Sequence, residues 1–485
     1  MSLNISKGPG PDLIPPSLLR YCSTVLTYPL TVLFNKSLSS GTFPDVLKQS
    51  HIIPIYKSGD KANIKNYRPI TIQSSIAKLF ESLILDKIAP LFQNIIVEQQ
   101  HGFTKGKSTS TNLFLYHNYI LDSFAENCQV DAVYTDFSKA FDKVNHNCLL
   151  TKLSLYGFHG PLLNWFASYL HNRTLSVKLK SFQSFPFTAQ SGVPQGSHLG
   201  PFLFLLFIND ISFSLQNVHF LMFADDLNLL QEKLNAINTW CNENCMTLNI
   251  NKCNVITFSK IKSSIVFQYS LNNQLINRCD IVKDLGIYID QELTFRNHIE
   301  QIVNNSLRLL FFILRHSKDF NEYTTVILFT SLVRPLLEYC TVIWSPYYST
   351  HIKQIENVQN KFLRILGSRL GYSYRDVPIN ELLYTFKLTS LELRRKKFDS
   401  IFLYKIINNI FNCTDSISLI NFHVPSIITR SVPLFVTPSS SSNYMYNAPI
   451  NRLHRTGNSL NKHVDFFNDN LNKFKANISS LFSHS

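Results

Sequence analysis

Phe220-Leu221-Met222-Phe223-Ala224-Asp225-Asp226-Leu227-Asn228-Leu229-Leu230 sets two adjacent carboxylates between two short apolar runs, with no other charge in the stretch. Short apolar runs on either side of a tight polar turn predict a β-hairpin with the two aspartates at its tip. Like charges that close repel unless a cation sits between them. Hard oxygen ligands with few neighbours suit Mg²⁺, which takes one or two carboxylates together with substrate phosphates. An isolated Asp-Asp pair fits a solvated turn equally well, since Asp favours turns, so the reading depends on the rest of the chain.

A second carboxylate lies upstream. Val130-Asp-Ala-Val-Tyr-Thr-Asp136-Phe-Ser-Lys-Ala-Phe141-Asp142 reads as an apolar strand ending in Asp136 and passing into a helix. Beside the hairpin pair, Asp136 supplies oxygen ligands for two divalent ions that grip an attacking 3′ hydroxyl and a leaving pyrophosphate. Alone, Asp136 could equally cap the helix. Gln190-Ser-Gly192-Val-Pro194-Gln195-Gly196-Ser-His198 is a Gly/Pro-rich loop that opens a strongly apolar helix and lets backbone approach a ligand closely. Gln195 offers both donor and acceptor to a nucleotide; His198 reads as structural before it reads as a general base. His51–Lys61 reads as a short strand running into a basic turn and Asn66–Ile72 as a second short strand, and Lys57, Lys61 and Arg68 at the hairpin tip suit a triphosphate. The loop Gln99–Thr109 lacks the Walker spacing, but its Lys105 and Lys107 could touch a template backbone. Helices are predicted over Ile14–Leu38, Ser74–Phe92, Asn147–Tyr156 and Pro161–Leu170, with a further one capped by Ser108 or Thr109 and running to about Phe124.

The 485 residues, 45% hydrophobic and 13% aromatic, are enough for two to four domains with real cores. The net charge of +14 points to a polyanionic partner, and nine of those charges lie beyond residue 290, where 22 Lys and Arg face 13 Asp and Glu. No segment is apolar for long enough to span a bilayer, Leu199–Ile208 being the longest, so nucleic acid is favoured and no membrane is expected. Met1–Pro16 lacks the apolar core of a signal peptide, and nine cysteines, an odd number, fit free thiols in a reducing compartment. The chain is therefore expected inside the cell, in nucleus, cytoplasm or both, and not secreted. Cys241, Cys245 and Cys253 lack the further ligand that a zinc site needs.

Tyr134-Thr-Asp-Phe-Ser-Lys-Ala-Phe-Asp142, Gly192-Val-Pro-Gln-Gly-Ser197 with Leu199-Gly-Pro201, Phe207-Ile-Asn-Asp210 and Phe223-Ala-Asp-Asp226, in this order, resemble the reverse transcriptases of LINE-type (non-LTR) retrotransposons of a jockey-like group. Ile53–Asp60, Asn66–Pro69 and His101–Phe103 resemble the fingers motifs, and Leu248–Cys253 and Lys283–Ile287 the later palm. The resemblance implies an α+β right-hand fold. Fingers would lie within residues 1–125, an antiparallel-sheet palm within 126–290 (the reverse transcriptase domain spanning about 38–290), a helical thumb within 291–400, and a C-terminal segment with a Ser-rich loop within 401–485. It implies Asp136, Asp225 and Asp226 as metal carboxylates with the Phe137 carbonyl beside them, and Lys57 and Arg68 on the triphosphate. Gln195 would lie near the sugar, Phe141 would exclude a ribose 2′ hydroxyl, and Lys252 would protonate pyrophosphate. The implied activity is RNA-directed DNA polymerisation with two Mg²⁺, or Mn²⁺ in their place, on an RNA template, a DNA primer and dNTPs. Phe141 argues against the RNA-polymerising members of the palm-fold enzymes. The alternative is an inactive retroelement remnant that still binds nucleic acid. Two departures from the pattern are expected to matter: no apurinic-type endonuclease precedes the polymerase, and the segment from Asp226 to Trp240 is short. Beyond Gln291 helices are predicted over Phe295–His316, Thr324–Leu337 and Ile352–Gly367. Leu391-Glu-Leu-Arg394-Arg-Lys-Lys397-Phe398 is the densest basic patch and the expected site of phosphate contacts.

Overall fold

The computed structural model describes the chain apart from residues 1–3, 217, 230, 262–263, 425–432, 441 and 484–485, and apart from the side chains of 226–229, 231–233 and 483. Leu230, at the end of the predicted hairpin, and Ser441, in the predicted Ser-rich loop, thus lie outside the described residues. The chain is α+β and forms two compact units, each assembled from separated segments: 1–103, 133–253 and 268–276 in the first, and 104–132, 254–267 and 277–485 in the second.

In the first unit, β1 (Ser50–Tyr56) and β2 (Tyr67–Gln73) form the predicted basic-tipped hairpin, with Ile55 opposite Arg68. β3 (Val130–Thr135) delivers Asp136. β4 (Arg173–Leu179) pairs in parallel with β1 and antiparallel with the short β5 (Phe182–Gln183) and β6 (Phe187–Ala189). β7 (Met222–Phe223) and β8 (Asp226–Leu229) make the predicted Asp-bearing hairpin, and β8 pairs antiparallel with the end of β3, Thr135 lying opposite Leu227. That register brings the end of β3 and the hairpin turn to the same end of the sheet.

Helices cover this sheet. Leu199–Ile208 is apolar on every side and nearly all buried, as a helix without a polar face must be. It packs into a core where Trp165 and Tyr169 stack at 5.7 Å and Phe80 meets Trp165 edge-on at 5.2 Å. The helix expected over Ile14–Leu38 is two, Pro16–Tyr21 and Ser23–Ser40, broken at Cys22. Ser75–Phe92 starts on a Ser74 cap.

The second unit is mainly helical. Arg296–His316 and Ser349–Arg369 match the predicted helices, whereas the one expected over Thr324–Leu337 is interrupted by a π-turn at Phe329–Val333. Pro335 has no amide hydrogen to continue the α-helical ladder, which accounts for the break. The helix Thr109–Ala125, capped by Ser108 and Thr111, joins this unit through Phe114, whose ring lies 5.2 Å from that of Phe402. No described helix is long and apolar enough to cross a membrane.

The basic patch proves different from its reading as a phosphate surface. The Arg394 guanidinium forks onto Glu338, with Nη2 donating to Oε2 at 2.9 Å. Arg395 is buried with Glu356 at 3.8 Å. Lys396 pairs with Glu392, and Lys397 donates to Ser479 at 2.6 Å. Arg394, Arg395 and Lys397 tie the helix Leu391–Ile407 to its neighbours, whereas Lys396 is exposed and pairs within the helix, so the stretch offers less free positive charge to solvent than its sequence suggests.

Candidate active site

Asp136 follows β3 and caps no helix, since the next helical turn, Ala140–Lys143, begins after Lys139. Its surroundings are set by the segment 247–253. Ser138 N donates to Thr247 O at 2.9 Å, Asn249 N donates to the Asp136 carbonyl at 2.8 Å, and Phe137 bridges Leu248. The Phe137 ring is buried, 6.2 Å from Trp240. Lys252 Nζ lies 2.8 Å from Asp136 Oδ2, so the lysine expected near a leaving group sits on the first carboxylate.

Asp225 occupies the turn between β7 and β8, directly after Ala224, whose φ of 58° is left-handed. Its carboxyl is pushed above the usual carboxylate range, first by burial and then by the negative charge of Asp136, while Lys252 and Lys57 act in the opposite direction. The electrostatic effects of Asp136, Lys252 and Lys57 therefore meet at Asp225. Asp226 opens β8; its side chain lies outside the described residues. Among the described side chains no group of three His, Cys, Asp or Glu gathers to hold a metal. Asp136 and Asp225 are mutually repelling carboxylates of the hard-oxygen type that Mg²⁺ takes together with phosphate oxygens, with the Lys252 ammonium on the first of them.

The Gly/Pro loop is built against the segment after Asp136. Val193 N donates to Phe141 O and Gly192 N to Val144 O, each at 2.8 Å, and Gln195 Nε2 donates to Asp142 Oδ1 at 2.9 Å. Burial raises the Asp142 carboxyl above its ordinary value, partly offset by that hydrogen bond and by Lys139. On its other side the loop docks on β2, where Thr71 N donates to Gln195 O at 2.8 Å. Gly196, at φ 120°, would carry a Cβ 2.7 Å from Thr71 O, so no other residue fits there without shifting backbone. A cavity of about 410 Å³ lies between loop and strands, lined by Thr71, Asp142, Arg173 and Gln195 among others. Phe141 stacks on Phe204 at 4.5 Å and meets Phe103 edge-on at 5.8 Å, which fixes its ring. Arg68 and Lys57 are exposed on the β1–β2 hairpin. His198 is exposed as well, and its backbone rather than its ring is held, by Glu81.

Two buried residues of this region escaped sequence reading. Glu81 is fully buried: Oε1 accepts from Gln73 Nε2 and Tyr169 Oη, both at 2.9 Å, and Oε2 accepts from His198 N at 2.8 Å and Leu199 N at 3.4 Å. It thus holds the start of the apolar helix and the end of the Gln195 loop. Burial, with the Glu81 charge adding to it, raises the Tyr169 hydroxyl far above its usual range and keeps it a donor. The second residue is Gln100, also buried, beside Ala224. A Glu placed directly after Leu79-Phe80 was the only signal for the first; nothing in the sequence singled out Gln100 from Gln99.

Residues 55–296 match the model of the family described as reverse transcriptase (RNA-dependent DNA polymerase). The chain is 27% identical over 397 residues to the probable RNA-directed DNA polymerase from transposon BS of Drosophila melanogaster, a match covering 75% of this chain and 43% of that protein. It is 28% identical over 396 residues to the RNA-directed DNA polymerase from mobile element jockey of the same fly, covering 76% and 43%. The match thus spans less than half the length of these curated relatives. Apo telomerase from Candida tropicalis aligns with a TM-score of 0.37 at 13% identity, over 52% of this chain and 55% of that one. Through residues 55–296 the chain belongs to the reverse transcriptase family, on the side of the non-LTR elements typified by jockey and BS.

Proposed function

We propose that this chain is an RNA-directed DNA polymerase that extends a DNA primer 3′ end with dNTPs on an RNA template. The observation that carries the reading is the β3–β8 register, which brings the end of β3, where Asp136 follows, and the hairpin turn that carries Asp225 to one end of the sheet, with Lys252 2.8 Å from Asp136. Asp136 and Asp225, with Asp226 and the Phe137 carbonyl, would hold divalent ions, Mg²⁺ or Mn²⁺. When bound, these ions supply Lewis-acid charge at the attacking and leaving oxygens.

The chain's own residues do the rest. Arg68 and Lys57 draw the triphosphate to the hairpin side by charge-assisted bonds. Gln195, braced by Asp142, lies beside the sugar. The Phe141 ring, fixed between Phe103 and Phe204, leaves no room for a 2′ hydroxyl. Lys252, already on Asp136, hands a proton to the leaving pyrophosphate. In this reading fingers fall within residues 1–125, palm within 126–290 and thumb within 291–400.

Primer extension by purified protein with Mg²⁺, an RNA template, a DNA primer and dNTPs tests the reading. Extension above an Asp225→Ala control supports it, and extension no greater than that control sinks it. Template binding without extension would instead identify the chain as a non-catalytic remnant.

A further inference from the structure

The turn that carries Asp225 is poorly supported by its own hairpin. β8 is held in the sheet by β3, but β7 is an edge strand two residues long that pairs with β8 only at Met222–Leu227 and Phe223–Asp226, so one side of the turn has little ladder of its own. Ala224 adds a cost, because its left-handed φ of 58° is disfavoured for any residue with a Cβ.

The missing support comes from the segment 99–102 of the same unit. Met222 N donates to Gln99 O at 3.0 Å, and His101 N donates to Met222 O at 2.9 Å, a short parallel bridge along β7. The Gln100 side chain then closes on the turn: Oε1 accepts from Ala224 N at 2.9 Å while Nε2 donates to Ala224 O at 3.1 Å. Oε1 also accepts from Gly102 N at 2.8 Å, which fixes the amide's orientation. A Cβ on Gly102 would stand 2.2 Å from Ala224 N, so the segment approaches this closely only because residue 102 is glycine. Gln100 is 1% exposed and Ala224 7%, so neither can exchange these bonds for water. Both ends of this amide close on the strained residue before Asp225, Oε1 on the peptide entering Ala224 and Nε2 on the peptide leaving it.

We propose that Gln100 is a positioning residue that holds the Ala224 peptide in its left-handed turn and thereby aims the Asp225 carboxylate at its ligand. The assignment rests on the polymerase reading above. Gln100 touches no substrate, so its loss acts on the turnover step rather than on nucleotide binding.

The test uses Gln100→Met, which keeps the length and apolar bulk of the side chain but none of its three hydrogen bonds, and Gly102→Ala, which pushes on Ala224 from outside. In the full chain, deuterium exchange of peptides spanning Phe220–Leu227 should quicken about tenfold in both variants, as expected for losing bonds of ordinary strength, while exchange over Ser75–Phe92 stays unchanged. In primer extension, kcat should fall about tenfold or more with KM for dNTP within about twofold. Unchanged exchange across Phe220–Leu227 in both variants overturns the assignment whether or not the chain polymerises. A wild-type chain that fails to extend primers, with exchange quickened in the variants, sinks the polymerase reading and leaves the Gln100 clamp standing. A rise in KM with kcat unchanged in both variants would place Gln100 in nucleotide binding and overturn the positioning role.

Discussion

Removing the Glu81 carboxylate tests how the Gln195 loop is held. Glu81→Ala deletes the acceptor for four donors, of which Gln73, Tyr169 and Leu199 belong to buried residues. Hydrogen bonds to a charged group contribute about 1.5–3 kcal/mol each, and a buried donor left unpaired costs about 1–3 kcal/mol. The carboxylate's own burial cost is recovered, and water entering the cavity re-pairs part of what is lost, so we expect a net loss of roughly 3–5 kcal/mol. At about 2–4 °C per kcal/mol for a unit of this size, the melting transition should fall by roughly 6–20 °C. Glu81→Gln keeps shape and one acceptor oxygen but turns an NH₂ toward donors, so it should lose about half as much. Urea denaturation followed by near-UV circular dichroism measures both. A loss below about 1 kcal/mol for Glu81→Ala would refute the idea that this buried carboxylate carries the helix start.

Asp225→Asn should abolish primer extension yet melt higher than wild type in metal-free buffer at pH 7. With its carboxyl raised in the folded state, the folded chain binds more protons than the unfolded one above the unfolded value near 3.8. Wild-type stability therefore falls as pH rises through that window, and the variant lacks this slope. An equal or lower melting point for the variant counts against the burial of that charge. Phe141→Ala should admit ribonucleotides in a competition between rNTP and dNTP; it also loses the Phe204 stack, so a lower melting point without ribonucleotide use would remove the steric assignment. His117 and His298 are buried in the second unit and held neutral by burial first, with Arg452 and Lys283 respectively adding to it, at about 3 and about 4. The unfolded chain binds protons near pH 6.5 where the folded one does not. Stability is therefore full above that pH and falls toward pH 4 by up to about 1.4 kcal/mol per pH unit per histidine; urea midpoints for His298→Asn should show a flatter slope. Arg394→Ala should lower stability by about 2 kcal/mol, because Glu338 is left with only the longer pair to Arg334 at 3.6 Å, while RNA binding by filter assay changes less than twofold, the reverse of what a phosphate contact predicts.

The Asp225 hairpin, the β3–Asp136 junction and the Lys57–Arg68 hairpin were legible because each is local: alternation of apolar and polar residues, and a turn chemistry that few sequences share. The core helix Leu199–Ile208 announced itself by having no polar face. What sequence hid was pairing over distance. Arg394 and Arg395 look like solvent-facing cations until Glu338 and Glu356 are brought beside them by the fold. Glu81 looks like a surface residue of an amphipathic helix until His198 and Tyr169 arrive, and Gln100 looks interchangeable with Gln99 until Ala224 is set against it. The break before Pro335 was readable from the proline, although the spacing on either side suggested one helix.

The threading of the two compact units has a consequence for how the chain is made. The first cannot be complete until residue 276 has left the ribosome, and the second draws on residues 104–132 and on the far end of the chain. Phe114 therefore waits for Phe402, while Tyr116 and His117 of the same helix meet Phe258 and Phe295 earlier in synthesis, so part of the apolar side of Thr109–Ala125 stays uncovered until the helix Leu391–Ile407 has been made. Chaperone demand should be set by that interval, and a fragment cut at the limits of the family match, 55–296, would keep this helix while discarding Phe402.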